Sequence, residues 1–129
     1  MLAVDTNVVV RFLVKDDDAQ AERARAVVVS GPVYVAPTVI LECDWVLRSL
    51  YGFSASQVVR ALEAFCGIET VTVGEAGAVR RAFRMADAGL DFADALHLSL
   101  SRGCEAFATF DKRFAQRAAT AGVPPVKLI

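Results

Sequence analysis

Short apolar runs alternate with helical patterns along the whole chain, and this alternation constrains the fold more than any other feature. Leu2 to Val4, Val33 to Ala36, Glu69 to Val73, Ala106 to Phe110 and Val126 to Ile129 read as strands, several of them rich in β-branched residues. Between them lie helical patterns. Val8 to Val14 follows Thr6 or Asn7 as cap, and Asp16 to Ser30 ends at Gly31-Pro32. A third helix opens on Pro37 and runs to about Tyr51, where Gly52 stops it. Ser54 with Gln57 forms a capping box for a fourth, and Glu75 to Ala88 is the fifth. Asp91 to Arg102 is closed by Gly103, and Asp111 to Ala121 is the last. The order is β-α-α-β-α-α-β-α-α-β-α-β. Strands separated by helices pair in parallel, because a parallel crossover needs about a dozen residues. The expectation is one α/β domain over residues 1–129, a three-layer α/β/α sandwich on a central parallel sheet of four to five strands.

Composition narrows the class. With 129 residues and 55% hydrophobic content, the chain has the length and the apolar surface of a folded domain, not of a disordered segment. No apolar run approaches the ~18–20 residues that span a bilayer. The opening Met1-Leu2-Ala3-Val4-Asp5 carries no basic stretch, so neither a cleaved signal nor a membrane anchor is expected, and the protein reads as cytoplasmic. Cys43, Cys66 and Cys104 are too scattered for a disulfide framework or a zinc clip and read as small buried hydrophobes.

In parallel sheets of this kind, ligands meet the carboxyl ends of the strands. Asp5 directly follows the first strand and Asp111 the fourth, although either acid alone is accounted for as a helix cap. Glu42 sits in the apolar run Val39-Ile40-Leu41-Glu42-Cys43, with no cation three or four positions away, so its stripe reads inward. Asp44, by contrast, has Arg48 at i+4 and reads as an ordinary solvated pair. Asp94 has Leu90, Asp91, His97 and Leu98 as its helical neighbours, again with no fixed cation and with one like charge a turn away.

Four such acids gathered in one crevice cannot all ionise without cations. An all-oxygen set with no Cys and at most one His suits Mg²⁺ or Mn²⁺ better than zinc. Such a centre supports metal-assisted hydrolysis of a phosphodiester, with water as nucleophile. The charge count points the same way. The net charge is −1, yet setting aside Asp5, Glu42, Asp91, Asp94 and Asp111 leaves ten acids against fourteen bases, eleven of them Arg. That leaves a surface able to hold a polyanion by its phosphates.

Val4-Asp5-Thr6-Asn7, Glu42, Asp91-Phe92-Ala93-Asp94-Ala95-Leu96-His97 and Thr109-Phe110-Asp111-Lys112-Arg113-Phe114, in this order and over essentially the whole chain, resemble the PIN-domain family, specifically the VapC-type ribonuclease toxins of bacterial toxin–antitoxin pairs. The resemblance implies a small endoribonuclease that requires Mg²⁺ or Mn²⁺ and cuts RNA. By motif position, Asp5, Glu42, Asp94 and Asp111 form the acidic site, with Asp91 as an auxiliary. Thr6, Asn7 and Thr109 stand where the family's polar supports orient the carboxylates or the water. The same resemblance implies a homodimer held inactive by a cognate antitoxin.

Other residues keep two readings. His97 lies one turn after Asp94, where a half-buried, locally satisfied imidazole is preferred over one that touches a carboxylate or RNA. Trp45 and the Val46-Leu47 pair read as core or dimer surface, ahead of base stacking by Trp45, Tyr51 or Phe53. Arg80, Arg81 and Arg84 are either an RNA contact or a solvated helix face. Two rival functions share the fold class. A phospho-accepting receiver-like domain would carry adjacent acids after its first strand, where this chain has Thr6 and Asn7. A non-catalytic binding module would not need the full acidic set.

Overall fold

The computed structural model describes residues 1–119 and 123–129, arranged as two compact units, Met1–Ala76 and Gly77–Ile129. Elements follow one another in the order the alternation predicts.

In the first unit, β1 (Leu2–Ala3), β2 (Val33–Val35) and β3 (Val71–Val73) form a parallel sheet in that order, with Leu2 opposite Val33 and Val33 opposite Val71. β2 is central, and its Val33 and Val35 are fully buried, as befits a strand hydrogen-bonded on both edges. Four helices connect the strands: α1 (Thr6–Val14), α2 (Asp18–Ser30), α3 (Pro37–Ser49) and α4 (Ala55–Cys66). α1 packs on α2 and α3, and α3 on α4. Their inward stripes (Val9 and Val10, Val28, Ile40 and Leu47, Leu62 and Phe65) make the core of this unit.

Local chemistry sets the boundaries. α1 is capped by Asp5 rather than Thr6 or Asn7: Asp5 Oδ1 accepts the Thr6 N–H at 2.7 Å, and its carbonyl takes the Val8 N–H. Ser54 and Gln57 form the expected reciprocal capping box on α4. Gly74 follows β3 so closely against β2 that a Cβ there would collide with the Tyr34 hydroxyl and stand 3.0 Å from Pro37 Cδ.

The second unit holds α5, which begins at the boundary (Ala76–Asp87), then α6 (Phe92–Leu100), β4 (Phe107–Thr109), α7 (Lys112–Ala118) and β5 (Val126–Leu128). Phe83 of α5 stacks on Phe92 of α6 at 5.2 Å, and the buried Ser99 hydroxyl donates to the Ala78 carbonyl at 2.7 Å. α6 ends at Leu100, two residues before the expected Arg102, because Ser101 closes it: its N–H bonds the Leu98 carbonyl and its hydroxyl the His97 carbonyl. The expected end of the last helix, Ala121, lies outside the described residues.

The five strands and their parallel sense agree with expectation, but their grouping does not. β4 and β5 pair with each other in a separate two-stranded sheet, Phe107 opposite Val126, instead of extending a central sheet of four or five. Strands of two or three residues offer few ladder bonds each, so periodicity finds them without determining which edges meet. Among the described residues no helix is long and apolar enough to cross a membrane.

Candidate active site

The sequence-predicted acids fall into two sets, one in each unit. In the first, Asp5 leaves the carboxyl end of β1 and Glu42 stands on α3. The buried Thr6 hydroxyl donates to Glu42 Oε1, tying α1 to α3. Both carboxylates act on one neighbour. The Cys43 thiol is pushed up to about 12, first by burial, then by the charge of Glu42, with Asp5 adding to it. Asp5 and Glu42 therefore share one locality.

Here the inward reading of Glu42 is overturned. The buried stripe of α3 is Ile40, Cys43, Asp44 and Leu47, an i, i+3, i+4, i+7 set. Glu42 falls off that stripe and is exposed, whereas Asp44 is only 3% exposed. The Asp44 and Arg48 pair is thus no solvated pair. Arg48 donates to both carboxylate oxygens of Asp44, at 3.0 and 2.8 Å, the bidentate geometry that a buried carboxylate requires. Apolar neighbours in sequence misled, because residues adjacent in a helix point about 100° apart.

In the second unit, Asp91 caps α6, accepting the Asp94 N–H at 3.4 Å, and Asp111 caps α7, accepting the Phe114 N–H at 3.0 Å. Thr109, at the end of β4, accepts the Asp111 N–H at 3.0 Å and fixes the backbone where that acid begins. Asp94 is half-buried between these charges. Its pKa is raised first by burial, then by Asp91 and Asp111, with the exposed His97 opposing the shift. His97 is thus a solvent-facing neighbour of Asp94 rather than a half-buried one.

Asp5, Glu42, Asp94 and Asp111 have no ion-pair partner among the described residues. Capping occupies Oδ1 of Asp5 and of Asp111 and leaves Oδ2 of each for a ligand. The donors are all oxygen, the chemistry that suits a hard divalent cation. Among the described residues, no three His, Cys, Asp or Glu side chains stand close enough to share one ion.

The remaining candidates divide. Asn7 is exposed and lines a cavity of about 350 Å³ with Arg11, Gln20 and Arg23, and it makes no side-chain hydrogen bond among the described residues. Trp45 is 58% exposed and so is no core residue, while Leu47 is fully buried. Cys43 is buried, Cys66 half-buried and Cys104 exposed, so the buried-hydrophobe reading fails for Cys104, which sits in the loop after α6. Sequence reasoning passed over Phe110. It is 82% exposed beside Asp111, and its signal was a large aromatic placed between two polar site residues at a strand end.

Parallel strands whose carboxyl ends release acids into helix caps define an α/β protein with its ligand chemistry at the strand ends. The chain matches the PIN domain over residues 2–119 and belongs to that family, whose members are generally metal-dependent nucleases. No curated protein matches the chain. Family membership sets aside the phospho-accepting receiver.

Proposed function

We propose that this chain is an endoribonuclease dependent on Mg²⁺ or Mn²⁺, in which its two units work as one domain over residues 1–129. Asp5, Glu42, Asp94 and Asp111 are the acids that would hold the cation, with Asp91 assisting. The observation that carries the reading is Asp94, half-buried among Asp91 and Asp111 and lacking an ion-pair partner among the described residues, in a chain of the PIN family. A divalent ion there would supply positive charge to the phosphodiester oxygens and make water a better nucleophile near neutral pH.

The chain's own residues do the rest. Thr6 fixes one oxygen of Glu42, and Thr109 fixes the peptide that begins Asp111. Asn7, which follows Thr6 in the chain, is a supporting polar group for the water or the substrate. Phe110 offers an exposed ring on which an unpaired base stacks, worth about 1–3 kcal/mol per base. Single-stranded or looped RNA meets that ring, since paired bases are already stacked.

The order of the motifs also supports a biological role as the toxin of a toxin–antitoxin pair, cytoplasmic, homodimeric and restrained by a cognate antitoxin. The test is cleavage of a labelled single-stranded RNA by protein free of host ribonuclease. Cleavage with Mg²⁺ or Mn²⁺, lost in EDTA and in Asp5→Asn, supports the proposal. Equal cleavage in EDTA overturns it, and RNA binding without any cleavage makes the chain a binding module on the same fold.

A further inference from the structure

Apart from the acids, the second unit contains a cavity of about 230 Å³ lined by Arg81, Arg84, Met85, Ser99, Arg102 and Val123. Three of its six lining residues are arginines. Arg81 and Arg84 sit one turn apart on α5, and Arg102 follows the end of α6. None of the three makes a hydrogen bond or an ion pair among the described residues, unlike Arg117 of the same unit, which donates to the Gly89 carbonyl at 3.1 Å. Asp87 and Glu105 are each three positions from one of these arginines, and among the described residues neither forms an ion pair with them.

The floor supplies no rival donor. Ser99 is 2% exposed and its proton is committed to the Ala78 carbonyl, while Met85 and Val123 are apolar. Three guanidiniums around one small concavity repel one another, and a concave site of one sign focuses positive potential. An anion with several oxygens relieves that repulsion, and the planar Arg fork matches phosphate two bonds at a time. α6 itself links the cavity to the acids. Asp94 lies about 9 Å before its last residue at 1.5 Å per position, and Arg102 comes two residues beyond that end.

We propose that this cavity is a phosphate site, with Arg81, Arg84 and Arg102 as donors, which holds a backbone phosphate of the substrate strand away from the bond that is cut. The strand assignment rests on the nuclease reading above; the phosphate chemistry does not. Such a contact positions the strand without reading its sequence.

Two measurements on the full chain in EDTA test it, using the parent, Arg84→Gln/Arg102→Gln and, as control, the exposed Arg60→Gln. Melting in inorganic phosphate against chloride at equal ionic strength reads the phosphate. Fluorescence anisotropy with a labelled single-stranded RNA reads the strand. The expected result is a phosphate-dependent rise in Tm for parent and control that the double variant lacks. RNA affinity should fall about tenfold or more in the double variant, with a shallower salt dependence. If the phosphate effect is lost in the double variant while RNA affinity is unchanged, the site takes free phosphate and the strand assignment is overturned. If the double variant matches the parent in both, the site is refuted. Cleavage of the same RNA by the parent with Mg²⁺ separates the two proposals. Binding through these arginines without cleavage sinks the nuclease reading alone, and cleavage with RNA binding indifferent to them sinks the strand assignment alone.

Discussion

Asp94→Asn should raise the stability of the metal-free protein and lower its response to metal, and the two effects have opposite signs on one melting curve. Asp94 shares a helix start with Asp91 three positions earlier, and a like pair at that spacing costs about 0.2–0.5 kcal/mol. Asp111 adds a second repulsion, and partial burial strengthens both. Against this, an acid in the first turn of α6 gains about 0.3–1 kcal/mol from the helix dipole, which Asn forfeits in part. Burial and the two neighbouring carboxylates raise the pKa of this carboxyl, but water screens a group this open, so the variant is expected to gain no more than about 0.5 kcal/mol. That corresponds to roughly 2 °C in a domain of this length.

Metal reverses the order. A ligand at ten times its Kd stabilises the folded parent by about 1.4 kcal/mol, while the variant, short of one anionic ligand, gains less. In EDTA the variant should therefore melt above the parent, and in saturating Mg²⁺ below it. The sign of the pH dependence follows. A carboxyl whose folded pKa lies above its unfolded value costs stability when ionised, and that cost disappears as pH falls through the folded pKa. The metal-free advantage of the variant should thus be full at neutral pH and fade on acidification. Scanning calorimetry at pH 7 and pH 4.5, with and without Mg²⁺, makes the comparison. Glu105→Gln is the control, since Glu105 is an exposed loop residue, whereas Asp16 pairs with Arg11 and accepts from Tyr51. A variant that melts below the parent in EDTA and keeps the full Mg²⁺ response would make Asp94 a structural residue and the site wrongly drawn.

Three other outcomes follow from the packing. Arg48→Ala strands a carboxylate whose side chain is 4% exposed and should cost about 3–5 kcal/mol in urea unfolding, whereas Asp44→Ala leaves a guanidinium 35% open to water and should cost less; equal losses would refute that asymmetry. Gly74→Ala should lose about 1–3 kcal/mol through collision with the Tyr34 hydroxyl, and Tyr34→Phe in the same chain should recover part of it. A thiol reagent at pH 8 should modify the exposed Cys104 fast and Cys66 and Cys43 slowly, because burial holds those two thiols up at about 11 and about 12; three equal rates would contradict the burial assigned to them.

The element order was fully legible because each strand and helix announces itself locally: β-branched runs, Pro37 at a helix start, and the Ser54–Gln57 box all act within a few residues. What escaped was set by long-range or rotational geometry. The split of five strands into sheets of three and two depends on edges that meet far apart in sequence. The exchange of Glu42 and Asp44 between surface and interior depends on the roughly 200° by which a helix turns over two residues, which an apolar run on both sides of Glu42 obscured. The arginine cavity combines two helices whose spacing no single window contains. Its members on α5 were visible as a cluster, but Arg102 was not visible as their partner.

The acids themselves show why capping and catalysis were poor alternatives from the start. Asp5, Asp91 and Asp111 are each a helix cap, and the bland reading is therefore true of all three. Yet a cap uses one carboxylate oxygen and holds it within the first turn of a helix, at a place where backbone N–H groups already favour negative charge. For Asp5 and Asp111 that place is also the carboxyl end of a parallel strand. Capping thus removes the rotamer freedom that a metal ligand would otherwise lose on binding, and it offsets part of the repulsion that gathering acids would cause. Asp94 differs, since it is not a cap and instead sits behind one, more buried than Asp91 and Asp111 and without the bond that settles them. If the caps preorganise the site, Asp111→Ser, which keeps an acceptor for the Phe114 N–H, should leave stability nearly intact while nuclease activity falls as far as in Asp111→Ala. Should Asp111→Ser keep the parent's activity, the role of Asp111 would be capping alone.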